Sequence, residues 1–144
     1  LLCSIVREKG DHVRTKPCLT AADAQKIVAA CKVEAEKNKW NVSIAVVDDG
    51  GYLLHLERLD GAHGQSAAIA TLKAQTSAAS RNTTKALEDL VKERPATAAF
   101  PGRLPVQGGL PIMHNGECVG AVGVSGVKSP EDEQIAKAGL AALE

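Results

Sequence analysis

Phe100-Pro101-Gly102-Arg103-Leu104-Pro105-Val106-Gln107-Gly108-Gly109-Leu110-Pro111-Ile112-Met113-His114-Asn115-Gly116-Glu117-Cys118-Val119-Gly120-Ala121-Val122-Gly123-Val124-Ser125-Gly126 begins as a loop and continues as a hairpin. Its first part holds too much Pro and Gly for a helix. Leu110 to His114 then reads as a strand, Asn115-Gly116 as the turn, and Glu117 to Ser125 as the returning strand. Asn-Gly is a strong hairpin signal because both central residues of a type I′ turn need positive φ. Gly120 and Gly123 stand where a packed strand prefers side chains, so a helix or a ligand is expected to approach that backbone closely.

The flanking sequence supplies what the hairpin packs against. Downstream, Ser129-Pro130-Glu131-Asp132 offers an N-cap, a proline for the first helical position and acidic groups for the positive helix end. It opens a helix along Ile135, Ala138, Ala142 and Leu143. Upstream, Thr20 with Asp23 three residues later caps an amphipathic helix along Ala24, Ile27, Val28, Cys31 and Ala35. Val42 to Asp48 and Tyr52 to Leu59 form a second hairpin about the turn Asp48-Asp49-Gly50-Gly51. Alternation places Tyr52, Leu54 and Leu56 on one side and Leu53, His55 and Glu57 on the other, so this strand is expected to be covered on both faces with His55 partly buried. The Ala-rich run Ser66 to Ala79 reads as a close-packing helix. Thr83 or Thr84 caps a shorter one that ends before Pro95. Helices before, between and after two hairpins predict an α/β fold of the α+β kind: a mostly antiparallel sheet covered by helices in α/β/α layers. Residues 1–18 read as an arm and 19–144 as a single domain.

Composition bounds the function. The chain has 144 residues, 44% of them hydrophobic, enough for one core. Lys+Arg and Asp+Glu both number 17, and the aromatics are Trp40, Tyr52 and Phe100 alone, so neither a phosphate-tracking surface nor a base-stacking platform is present. The reading is against nucleic acid as a partner. No apolar run reaches membrane-span length and the first residues lack the order of a signal peptide, so a cytoplasmic protein without membrane contact is expected. Cys3, Cys18, Cys31 and Cys118 show no metal-type spacing and read as reduced structural thiols.

Several segments, in their order and spacing, resemble the GlcG/HbpS family, the haem-degrading domain also found at the C-terminal end of certain diol-utilisation adenosyltransferases. They are Leu19-Thr20, Ala45-Val46-Val47-Asp48-Asp49-Gly50-Gly51, Leu59-Asp60-Gly61-Ala62, Lys73-Ala74-Gln75-Thr76, Pro101-Gly102, Gly108-Gly109-Leu110-Pro111, and Gly120 to Gly126 followed by Asp132-Glu133-Gln134. The resemblance covers about residues 19 to 143. It implies an α/β/α domain that assembles into homo-oligomers, with haem as the cofactor of some members. It also exposes departures. The secreted haem-binding member has an iron-ligating Thr after the Pro-Gly pair, where this chain has Arg103. Two iron-binding Glu residues of that member correspond to Ala68 and Thr71, and many relatives have His where Tyr52 stands.

The residues themselves suggest where a ligand would be held. Arg103, following Gly102 in the loop, is a fixed cation whose fork of donors suits a carboxylate, or else a surface charge. Gly108 and Gly109 offer backbone amides to an anion, or simply a turn. His63 between two glycines is placed to act as acid, base or ligand, or is a solvated loop residue. Lys73 would neutralise an anion or lie on a solvated helix face. Tyr52 and His55 project to opposite sides of one strand. Two functions follow, beside a third reading as an accessory or assembly protein without a pocket of its own. The first is a homo-oligomeric protein binding a small ligand, haem or another tetrapyrrole by resemblance, in a pocket lined by the Pro101–Gly109 loop. The second is a cofactor-independent lyase- or isomerase-type enzyme acting on a small carboxylate or aromatic acid, with Arg103 as anchor and His63 or Tyr52 moving a proton.

Overall fold

Helix α1 (Ala21–Lys37) starts where the sequence directs it: the Thr20 hydroxyl accepts from the Asp23 amide at 3.1 Å and the Asp23 carboxylate accepts from the Thr20 amide at 2.8 Å. In this computed structural model, which describes residues 13–144, there follow β1 (Ser43–Asp48), β2 (Leu53–Arg58), α2 (Gly64–Ser80), α3 (Thr84–Glu93), a 3-10 turn (Pro95–Ala99), β3 (Gly109–His114), β4 (Glu117–Ser125) and α4 (Ser129–Ala141). Of the arm expected over residues 1–18, residues 1–12 lie outside the described part. The cap of α4 differs from the expectation by one residue: Lys128 takes that place, its amide donating to the Glu131 carboxylate at 3.0 Å.

The two hairpins join through β1 and β4 into one antiparallel sheet of order β2-β1-β4-β3. The α+β class and the α/β/α layering are as the sequence predicts. On one face, α1 and α4 bury Ile27, Val28, Cys31 and Ile135 against Val42, Ile44, Val46, Val122 and Val124. On the other, α2 lays Ala70, Ala74 and Ala78 onto Ala45, Val47 and Ala121. That second interface consists almost wholly of alanine, so the helix lies close to the sheet. Gly123 makes this possible: a Cβ there would run into the Ala70 carbonyl and the Ala74 amide. The close approach expected at Gly123 is therefore a helix, not a ligand.

The β2 strand is not covered on both faces. It is an edge strand, and α2 packs chiefly over β4 and β1. A register shift between Val46 and Val47 sets Leu53 opposite Val47 and Leu56 opposite Ala45, both on the α2 side. Leu53, Leu54 and Leu56 are left 37–48% exposed, as are Tyr52 at 76% and Leu72 of α2 at 38%. His55 is half-buried, opposite Val46 on the other face, where Glu57 pairs with Lys32 of α1 at 2.9 Å.

Candidate functional site

The loop between the 3-10 turn and β3 is held through its own amides. The Leu104 amide donates to Thr76 Oγ1 of α2 at 2.8 Å, the Gln107 amide to Glu88 of α3 at 3.1 Å, and the Gly109 amide to Thr84 Oγ1 at 2.8 Å. Before these anchors, Pro101-Gly102 makes a turn in which Gly102 takes φ 69°, the conformation that a glycine in this position supplies without strain. The turn folds residue 103 back over residue 100. The Arg103 guanidinium carbon lies 5.0 Å from the centroid of the Phe100 ring, a cation–π contact.

Beneath this pair is a crevice of about 40 Å³ lined by Leu87, Leu90 and Val91 of α3 with Thr97, Phe100, Arg103 and Pro105. Helix α3 is amphipathic, yet none of its apolar side chains is fully buried; Thr84 alone is. Half-buried Arg103 therefore projects from an apolar wall, and among the described residues no carboxylate pairs with it. The crevice contains no general acid or base, for the Thr97 hydroxyl already donates to the Arg94 carbonyl at 2.7 Å.

Other sequence candidates fall elsewhere. Lys73 is neither on a solvated face nor open to an anion: its side chain is 2% exposed, its Nζ donates to Asp132 Oδ2 at 2.9 Å and to the Val124 carbonyl at 3.0 Å. Burial pushes the Asp132 carboxyl upward, against the pull of Lys73. Gly108 and Gly109 are buried too, and the Gly109 amide is committed to Thr84, so they form no anion nest. They are glycines because a Cβ at 108 would lie 2.8 Å from Lys73 Nζ and one at 109 would lie 2.8 Å from Thr84 Cγ2. His63 is exposed at the N-terminal end of α2. Its distance along the helix from Thr76, where the Arg103 loop is anchored, is about 20 Å at about 1.5 Å per residue. His63 and Arg103 are thus not assembled within one chain. Tyr52 is exposed just before β2, its amide donating to the Asp48 carboxylate of the preceding turn at 3.0 Å.

Sequence reasoning missed three features. The leucine face of β2 was hidden by an alternation that a bulge interrupts. The apolar wall of α3 was visible as Leu87, Leu90 and Val91 but had no assigned partner. The third is the buried pairing of Asp132, which the sequence offered as a helix-end charge and as part of a family segment. A hollow of about 420 Å³ between α1 and β2 is lined by none of the sequence candidates. Among the described residues no three His, Cys, Asp or Glu side chains gather as a metal site, and no helix is long and apolar enough to cross a membrane.

Comparison with known proteins agrees with this architecture. Protein GlcG of Escherichia coli K12 is 44% identical over 114 residues, covering 78% of this chain and 85% of that protein. The crystal structure of a double mutant of HbpS from Streptomyces reticuli superposes with a TM-score of 0.91 at 35% identity, covering 99% of both chains. The PduOC–heme complex shares the fold, with a TM-score of 0.81 at 24% identity over 88% of this chain and 95% of that one. Together with these likenesses, the match of residues 19–141 to the family described as haem degrading protein HbpS-like shows that this chain belongs to that family.

Proposed function

We propose that this protein binds a small ligand of the tetrapyrrole class, haem foremost, on the face formed by β2 and α2, and that a second copy of the chain covers that face. One observation carries the reading: Leu53 and Leu56 of the edge strand stand 48% and 41% exposed on the side where α2 packs, and the only charged side chain of that helix, Lys73, is buried. A haem macrocycle needs a broad apolar surface and a donor for its iron. The leucines provide the first, and the Tyr52 phenol is an oxygen donor of the type that holds iron in some haem proteins. Arg103 provides no such donor, since a guanidinium has no free lone pair. The family's description as haem degrading and the heme complex of the PduOC neighbour support haem as the ligand.

Bound haem would bring an iron centre open to ligand exchange and electron transfer. The chain's own contribution is apolar contact and the phenol of Tyr52. The enzyme reading draws less support, because His63, Tyr52 and Arg103 do not line one cavity and the crevice beneath Arg103 has no group to move a proton. Hemin titration followed at the Soret band tests the proposal: saturable binding is expected, with the shift reduced in Leu56→Lys and the ligand-field bands altered in Tyr52→Phe. Absence of a spectral change in the wild type, or identical spectra in all three proteins, overturns it.

A further inference from the structure

We infer that the crevice beneath Arg103 is a second binding site, distinct in its lining from the β2 face, for a carboxylic acid with a short branched apolar tail. Four observations converge on it. The first is charge: Arg103 is half-buried and unpaired by any carboxylate among the described residues, its one recorded partner being the Phe100 ring at 5.0 Å. A guanidinium that keeps only a π partner retains its in-plane donors, and those donors match the two oxygens of a carboxylate.

The second observation is the wall. Leu87, Leu90 and Val91 share one face of α3, and the fold buries none of them completely. The 3-10 turn and the loop meet that face and leave the crevice between them. An apolar tail would complete a burial that the chain itself leaves partial. Third, the size is selective. About 40 Å³ accommodates a few heavy atoms, which suits an isopropyl or isobutyl group and excludes a macrocycle. The fourth observation is rigidity. Thr76 and Glu88 hold the amides of Leu104 and Gln107, so the cation and the wall are fixed relative to one another before a ligand arrives.

The arrangement therefore discriminates at both ends. The head must be an anion with two acceptors, and the tail must be apolar and compact. Binding involves no covalent step, since the one hydroxyl lining the crevice, that of Thr97, already donates to the Arg94 carbonyl.

The test is calorimetric titration of the full chain with isobutyrate, isovalerate, acetate and isobutyramide at fixed pH and salt. The variants are Arg103→Ala, Arg103→Lys and Val91→Phe, the last filling the crevice from its partly exposed rim. Thermal melts establish that each is folded. Isobutyrate and isovalerate are expected to bind the wild type, with acetate and the amide each about tenfold weaker or worse. Arg103→Ala should lose about ten- to hundredfold for the acids and little for the amide, Arg103→Lys should recover part, and Val91→Phe should bind acetate as the wild type does while losing the branched acids. Equal affinity of the branched acids for wild type and Arg103→Ala overturns the inference. So does equal affinity for acetate and isobutyrate, or no detectable binding of any acid. Hemin binding, read separately at the Soret band, bears on the β2 face alone.

Discussion

Replacing Lys73 with Met removes the ammonium from the most deeply buried ion pair among the described residues while keeping most of its stem. In the wild type, Lys73 Nζ lies 2.9 Å from Asp132 Oδ2 and 3.0 Å from the Val124 carbonyl, with both side chains at most 3% exposed. After substitution, Asp132 keeps one donor, the Val127 amide at 3.2 Å, and the Val124 carbonyl loses its Lys73 contact. Breaking a buried pair from one side costs about 3–5 kcal/mol because the remaining charge is stranded. Against a total stability of about 5–15 kcal/mol, that is a large fraction. At about 3 °C per kcal/mol for a chain of this size, Tm should fall by about 9–15 °C. Urea unfolding followed by Trp40 fluorescence measures the loss directly. The double variant Lys73→Met with Asp132→Leu should regain much of it, since no buried charge then remains. The pH dependence has a definite sign. A stranded Asp132 has a folded pKa raised by burial above its unfolded value, so the folded state takes up a proton as pH falls through that window and the Lys73→Met deficit shrinks. A loss below about 1 kcal/mol, or a double variant no more stable than the single, would refute the stranded-charge reasoning.

Two further outcomes are expected. Leu56→Lys places a charge on the exposed leucine face; sedimentation should show a smaller assembly than the wild type, and an unchanged sedimentation coefficient would remove the proposed self-association through that face. Asp23 is held below the usual carboxylate range by its hydrogen bonds with the backbone and side chain of Thr20, so its contribution is present above its unfolded pKa and lost as pH falls through the depressed folded value. Asp23→Ala should therefore be less stable than the wild type near pH 7, with the gap closing as pH falls through the depressed folded value, whereas a gap independent of pH would show that the charge contributes nothing.

What could be read in advance had local causes. Thr20 with Asp23 and Asn115-Gly116 act within a few residues, and α1 and the β3–β4 hairpin lie where those signals put them. Gly123 announced a close approach that α2 makes. Lys73 was misread because its environment is set by Asp132, 59 residues away, and by the Val124 carbonyl, neither of which a window around α2 contains. Gly108 carried part of that information, since its missing side chain makes room for Lys73 Nζ, but a glycine in a loop looks the same whether it serves a turn or a neighbour. The exposed face of β2 depended on a register shift opposite Val46 and Val47, a feature of strand pairing that simple alternation does not record. In the candidate site, Arg103 was legible as a cation in a shaped loop. Its apolar surroundings were not, because they come from a helix that precedes the loop and folds back under it.

The backbone anchoring of the Pro101–Gly109 loop separates shape from chemistry. Thr76, Glu88 and Thr84 hold amides, which every residue except proline has, so the loop's path places no demand on the side chain at 103. That position behaves like an interchangeable tool in a fixed holder. Arginine there offers a cation, a hydroxyl residue would offer a lone pair, and an apolar residue would extend the wall of α3, each without redrawing the chain. Ligand preference can therefore drift between members of one fold by a single codon, and a library randomised at 103 should yield mostly folded proteins that differ in what they bind.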